Sequence, residues 1–152
     1  MMMATASPDP LTGSLEISVT TVSYGGLYAP LGYCLAAWIQ KPDGTHVKDL
    51  VVAGYYYWFY LYKWMSASGG DIDDVTEATR HGHGATSSTR DMTNETGDAV
   101  QPGTYEFWIE FTEHNGQGVY TSGAITLDGS SSVQADGQET DEFTNFSAVY
   151  TP

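Results

Sequence analysis

Cysteine is almost absent. Cys34 is the sole one in the chain, so no internal disulfide can form and no bridge fixes the redox compartment. It lies in the apolar run Tyr33-Cys34-Leu35-Ala36-Ala37-Trp38-Ile39, which predicts a small buried core residue rather than a reactive thiol. Basic residues are nearly as scarce. Five Lys and Arg stand against nineteen Asp and Glu, a formal charge of −14. Such a surface repels phosphate backbones and anionic lipid, which argues against nucleic-acid and membrane-surface partners. It suits a soluble exported protein, or one that holds cations. No apolar stretch reaches the length of a membrane span. Met1-Met2-Met3 has neither the basic start nor the apolar middle of a secretion signal, so an exported chain would be read here in its mature form or from a start other than the native one. Ser-His-Asp spacing, a phosphate loop, an HExxH pair and zinc-ribbon spacing are all missing. No enzymatic activity and no cofactor is expected.

What is present points to strands. A length of 152 residues suits one domain. Tyr, Thr, Val and Gly are abundant, whereas Lys is scarce, a composition of strands and turns. Leu15, Ile17, Val19 and Thr21 alternate with Glu16, Ser18 and Thr20, the period of a half-buried strand. Residues 33–40 form a nearly continuous apolar run that suits a central strand. Lys41-Pro42-Asp43-Gly44 carries turn chemistry, and residues 45–52 return as a hairpin partner. Residues 103–113 give the best strand, with Tyr105, Phe107, Ile109 and Phe111 facing one way and Glu106, Trp108, Glu110 and Thr112 the other. On that second face the carboxylates are expected to be solvated. Polar residues 85–92, then 119–127 and 143–150, complete about seven strands; residues 128–141 read as loop. Trp58, Leu61, Tyr62 and Met65 fall at helical spacing and predict a helical turn or two. The fold class is all-β: an immunoglobulin-like antiparallel β-sandwich over residues 14–152, preceded by an extended N-terminal arm, residues 1–13.

Two resemblances sharpen this. Residues 91–105, Asp91-Met92-Thr93-Asn94-Glu95-Thr96-Gly97 through Gly103-Thr104-Tyr105, resemble the turn that marks the Ig-like domain of the flagellar hook-capping protein and its bacterial relatives. Asp91 and Asn94 can accept from nearby backbone N–H groups, Gly97 suits a positive φ, and Gly103 releases the chain into a strand. Arg90 and Met92 stand where that pattern has Trp and Gly. The order Ala36-Ala37-Trp38-Ile39, Val47-Lys48-Asp49-Leu50, Trp64, Asp74–Thr79 and Phe143-Thr144-Asn145-Phe146-Ser147 resembles an uncharacterised predicted periplasmic family, often encoded beside PepSY-type and flavin-transferase proteins. That resemblance implies an exported Ig-like fold and no established activity.

Several residues carry candidate chemistry. Asp73-Asp74-Val75-Thr76-Glu77-Ala78-Thr79 is similar to a covalent flavinylation signal that would place FMN on Thr79. Glu77 replaces the signal's Gly, which puts bulk and negative charge where phosphate must approach and favours a plain structural loop. His81 and His83 flank a glycine and lie on one face of an extended segment, where they could hold copper or zinc. His46 and His114 lie near turns without an obvious partner. Residues 55–64 hold eight aromatics in ten positions, more than one small interior can enclose. Tyr55, Tyr56, Tyr57 and Trp58, together with Trp108, are therefore the expected contacts to another chain or to a glycan. Two sequons, at Asn94 and Asn145, are candidate glycosylation sites. Asn94, in a predicted exposed turn, is the better acceptor.

Two functions fit. The first is a structural subunit of an extracellular or cell-surface fibre, pilus-like and glycosylated. Its arm, through Met2, Met3, Leu11 and Leu15, adds a strand to the next copy and propagates a helical filament. The second is a periplasmic accessory or ligand-binding domain, with flavin, metal or carbohydrate as ligand.

Overall fold

The computed structural model describes residues 9–26, 33–53, 60–69, 83–94 and 96–152. Strand β1 (Ser14–Thr21) has the alternation read from its sequence: Leu15, Ile17, Val19 and Thr21 are buried and the residues between them are half-buried. Strand β2 (Cys34–Gln40) is buried at every position, as a strand covered on both faces must be. It turns through Lys41–Gly44 into β3 (His46–Ala53). Asp43 Oδ1 accepts from the Thr45 N–H at 2.9 Å and Gly44 takes φ +95°, so the hairpin forms as its residues predict.

Helix α1 (Tyr62–Ser68) starts later than the aromatic spacing predicts. Leu61 and Trp64 supply its buried side, and Gly69, in the left-handed region at φ +71°, ends it. Strand β4 (Ala85–Asp91) is the polar strand expected. It is followed by β5 (Gly103–Thr112) and β6 (Val119–Leu127). A short strand, β7 (Val133–Asp136), occupies part of the stretch expected to be loop. Its four residues pair with the last strand, β8 (Phe143–Thr151), and the Gly, Ser and Asp residues around it hid it.

The strands form two antiparallel four-stranded sheets, ordered β4-β1-β8-β7 and β3-β2-β5-β6, packed as a sandwich. Phe107 meets Phe146 edge-on at 5.0 Å and Phe111 meets Phe143 at 5.2 Å, so aromatic pairs tie one sheet to the other. A second cluster lies on the outer side of β2, where Cys34, Ala36, Trp38 and Val52 pack against Leu61 and Trp64. That layer explains why β2 lacks a solvated face. Glu110 on β5, expected to be solvated, is fully buried, as is Thr112 beyond it. The chain joins the sandwich before residue 14: Leu11 is in the core, its N–H donates to Val100 O, and Thr12 O accepts from the Tyr150 hydroxyl.

Candidate functional site

Topology gathers several polar residues at one end of the sandwich. Thr21 closes β1 and faces Phe143, the first residue of β8. Tyr33 precedes β2, His83 precedes β4, and Glu113 follows β5. Glu113 continues the inward series Tyr105, Phe107, Ile109 and Phe111, so it is placed in the interior as a carboxylate with 0% of its surface exposed. Its Oε2 accepts from Ser23 Oγ at 2.7 Å and its Oε1 from the Tyr24 N–H at 3.1 Å. The Glu113 N–H donates back to the Tyr24 hydroxyl at 2.7 Å. Residues 23–26 are thereby drawn against Glu113. Gly26 allows the approach, since a Cβ there would stand 2.7 Å from both the Glu113 Cβ and its carbonyl oxygen.

His83 completes the centre. Its ring stacks on Tyr33 with centroids 4.0 Å apart and an 11° interplanar angle, and it tilts against Phe111. Nδ1 lies 2.9 Å from Thr21 Oγ1. Nε2 is buried and lies 3.3 Å from Glu113 Oε1, within ion-pair distance. Beside it, the Tyr24 hydroxyl bonds His114 Nδ1 at 2.7 Å, giving His114 the partner that its sequence context did not suggest.

Burial holds the His83 imidazole below its ordinary value of 6.5, a fall only partly offset by the Glu113 carboxylate. The folded state therefore takes up this proton less readily than the unfolded chain. The stability His83 contributes is complete above about pH 6.5 and is lost as the pH falls toward the depressed folded value. Glu110 acts oppositely. Burial raises its carboxyl above 4.5, despite hydrogen bonds that lower it, so its contribution is lost as the pH rises. Glu110 is common to wild type and a His83→Gln variant, so their difference reports His83 together with its partner Glu113. Between pH 7.5 and 5.5 the variant should lose less stability than the wild type in urea unfolding; parallel losses would refute this.

The other sequence-derived sites are dispersed. Met2, Met3, Tyr55, Tyr56, Tyr57, Trp58, Thr79 and His81 lie outside the described residues. Leu11 and Leu15 fill the protomer's own core, so neither is presented to a second copy. Trp108, on the outer face of the β3-β2-β5-β6 sheet, is sandwiched in an aromatic ladder. It stacks on Trp38 at 5.9 Å and on Tyr120 at 6.1 Å, and Lys63 Nζ lies 4.7 Å from the Tyr120 centroid. Neighbours occupy both faces of Trp108, and its indole N–H donates to Glu106.

Asn94 is half-buried and organises its turn. Its Oδ1 accepts from the Thr96 N–H at 3.0 Å, the Thr96 hydroxyl at 2.8 Å and the Asp98 N–H at 2.9 Å, while Gly97 takes φ +87°. Asp91 likewise accepts from the Thr93 N–H, and the Lys48 ammonium at 2.8 Å and the Thr93 hydroxyl draw its carboxyl down to about 2. These are the roles the turn residues suggest. Asn145 is the more exposed of the two sequon asparagines. His46, lacking an obvious partner in sequence, bonds the buried Asp49 at 2.8 Å.

Glu113 was missed in the sequence, although the signal was present: a carboxylate on the inward parity of the strongest strand. Among the described residues no group of three or more His, Cys, Asp and Glu side chains is placed to hold a metal, and no helix is long and apolar enough to cross a membrane. Residues 15–143 match the profile of a family described as predicted periplasmic protein (DUF2271). Neither a curated protein nor a solved structure matches the chain.

Proposed function

The chain belongs to the DUF2271 family of predicted periplasmic proteins, and from that premise we propose that it works in the periplasm as a non-catalytic accessory domain. It binds its ligand at the end of the sandwich built around Glu113 and His83. The observation that carries this reading is the fully buried Glu113 carboxylate on a core-facing position. Taking a carboxylate out of water costs several kcal/mol, and an apolar residue of similar volume often stabilises a core better. A carboxylate buried at that cost marks a candidate functional site. His83 gives access to it, since 17% of the imidazole side chain remains open to solvent.

A thermal-shift screen against divalent metal ions, FMN and oligosaccharides tests this, run on the wild type and on Glu113→Gln. A ligand that raises the melting temperature of the wild type and not of the variant is expected. Stabilisation by none of them, or by the same amount in both proteins, would overturn the binding centre. The fibre reading is weakened because Leu11 and Leu15 are occupied within the protomer. Light scattering on the purified chain should accordingly report a monomer; long polymers would restore the fibre reading.

A further inference from the structure

We propose that the chain holds one residue of a neutral sugar in a second pocket, at the opposite end of β5 from Glu113. It lies between the Lys41–Gly44 turn and the turn of residues 94–101, beside Tyr105 near the start of β5. Its volume is about 250 Å3. That is just below the roughly 300–1,000 Å3 of sites for drug-sized ligands, so it suits a single compact ring rather than a chain of them. Val47, Val100 and Tyr105 are buried and make an apolar floor. Exposed Lys41 and Gln101, with half-buried Asn94, make a polar rim. A sugar ring has the same division, a C–H face and an edge of hydroxyl groups. The pocket is separate from the Glu113 and His83 centre, and the two assignments stand or fall independently.

The rim is held in place before any ligand arrives. Asn94 Oδ1 already accepts from the Thr96 N–H, the Thr96 hydroxyl and the Asp98 N–H. Its carbonyl end is therefore saturated, and the amide N–H2 is what it can offer a ligand oxygen. The Gln101 carbonyl accepts from the Tyr105 hydroxyl. Val100 beside it donates to Met92 O at 3.0 Å and accepts from the Leu11 N–H at 2.8 Å. The Gln101 side chain stays exposed, with a donor and an acceptor to give. The Lys41 N–H donates to Thr45 O at 2.8 Å and its carbonyl accepts from the Gly44 N–H at 2.9 Å. Groups carried on turns already ordered in this way cost a ligand little rearrangement. Charge selects the ligand class. Hydrogen bonds from Thr45 chiefly, and the Lys41 charge to a lesser degree, hold the Asp43 carboxyl below its ordinary value. The rim's cation thus has a carboxylate for a neighbour, and the chain's formal charge of −14 disfavours an anion over its surface. A small anion would also leave the apolar floor uncovered. A neutral ring meets neither objection. Tyr105 is too buried to stack on that ring, so the dissociation constant should be in the millimolar range.

The test is a titration of the isotope-labelled full chain with D-glucose, D-galactose and N-acetyl-D-glucosamine, read by amide chemical shifts. At least one of the three should shift the amides of residues 41–47 and 96–105 and leave those of residues 23–26 in place. Two variants check the pocket. Gln101→Ala trims an exposed rim side chain, and Ala99→Phe puts a ring into the pocket from an exposed lining position. Each, confirmed folded by circular dichroism, should weaken the bound sugar at least tenfold. Acetate, the probe for an anion, should leave the same amides unshifted. The proposal is overturned if none of the three sugars shifts these amides, or if both variants bind like wild type. Acetate that shifts the same amides at the same concentrations overturns it too, since the pocket would then select charge and not a neutral ring.

Discussion

Replacing Trp64 by alanine is expected to cost about 3–5 kcal/mol of folding stability, and replacing it by phenylalanine about 1–3 kcal/mol. The indole is fully buried and is the main apolar contribution of α1. It fills the space over Cys34, Ala36, Trp38 and Val52 on the outer side of β2. Those partners are small or already packed and cannot collapse into the volume that alanine would vacate, which places the cost toward the upper part of the range. The indole N–H also donates to Asp49 Oδ1 at 2.8 Å. Asp49 is a fully buried carboxylate, so phenylalanine, which keeps most of the ring volume, still removes a donor from a buried charge. Urea unfolding followed by far-ultraviolet circular dichroism reads both variants. An alanine variant within 1 kcal/mol of wild type would show that α1 is not part of the cooperative unit.

The same layer shows what a linear reading can reach. The inward set of β1, the continuous burial of β2 and the inward set of β5 follow from period and composition, because each depends on neighbours one or two positions away. The Asp91–Gly103 turn was legible for the same reason. The burial of Glu110 was not. Alternation along β5 assigns it to the outer face correctly, but the covering helix is 46 positions away in sequence at Trp64. Strand β7 was hidden in a Gly- and Ser-rich stretch because its pairing with β8, not its own four residues, makes it a strand. Glu113 lies between these cases. Its inward parity could be read, whereas its partners Ser23 and Tyr24, about ninety positions away, could not. His83 was singled out through its pairing with His81, yet within the described structure its partners are Thr21, Tyr33 and Glu113.

Glu110→Ala should also be severe, with a loss of about 2–4 kcal/mol from donors left without their acceptor, and it should act first on α1. At seven residues the helix is far too short to persist by its own hydrogen bonds. Its first turn leaves backbone N–H groups without intrahelical acceptors, and no side-chain cap hydrogen bond supplies one at Leu61. Glu110 does so from across the interface. Its Oε1 accepts from the Trp64 N–H at 2.9 Å and its Oε2 from the Lys63 N–H at 3.1 Å, with the Gln117 amide donating to the same Oε2. Alanine would leave these donors buried or exposed to a strained water, and a helix start without an acceptor loses more than the mean worth of the bonds removed. The upward shift of the Glu110 carboxyl, caused chiefly by burial, shows that its own environment opposes the charge even with three donors present. Its role is therefore to hold α1 in place rather than to add net electrostatic stability. Hydrogen exchange separates the two effects. In the variant the amides of Lys63 and Trp64 should lose protection well before those of β1 and β8. If all of them lose protection together, α1 unfolds only with the sandwich. If the loss of stability is below 1 kcal/mol and the α1 amides stay protected, Trp64 alone anchors the helix.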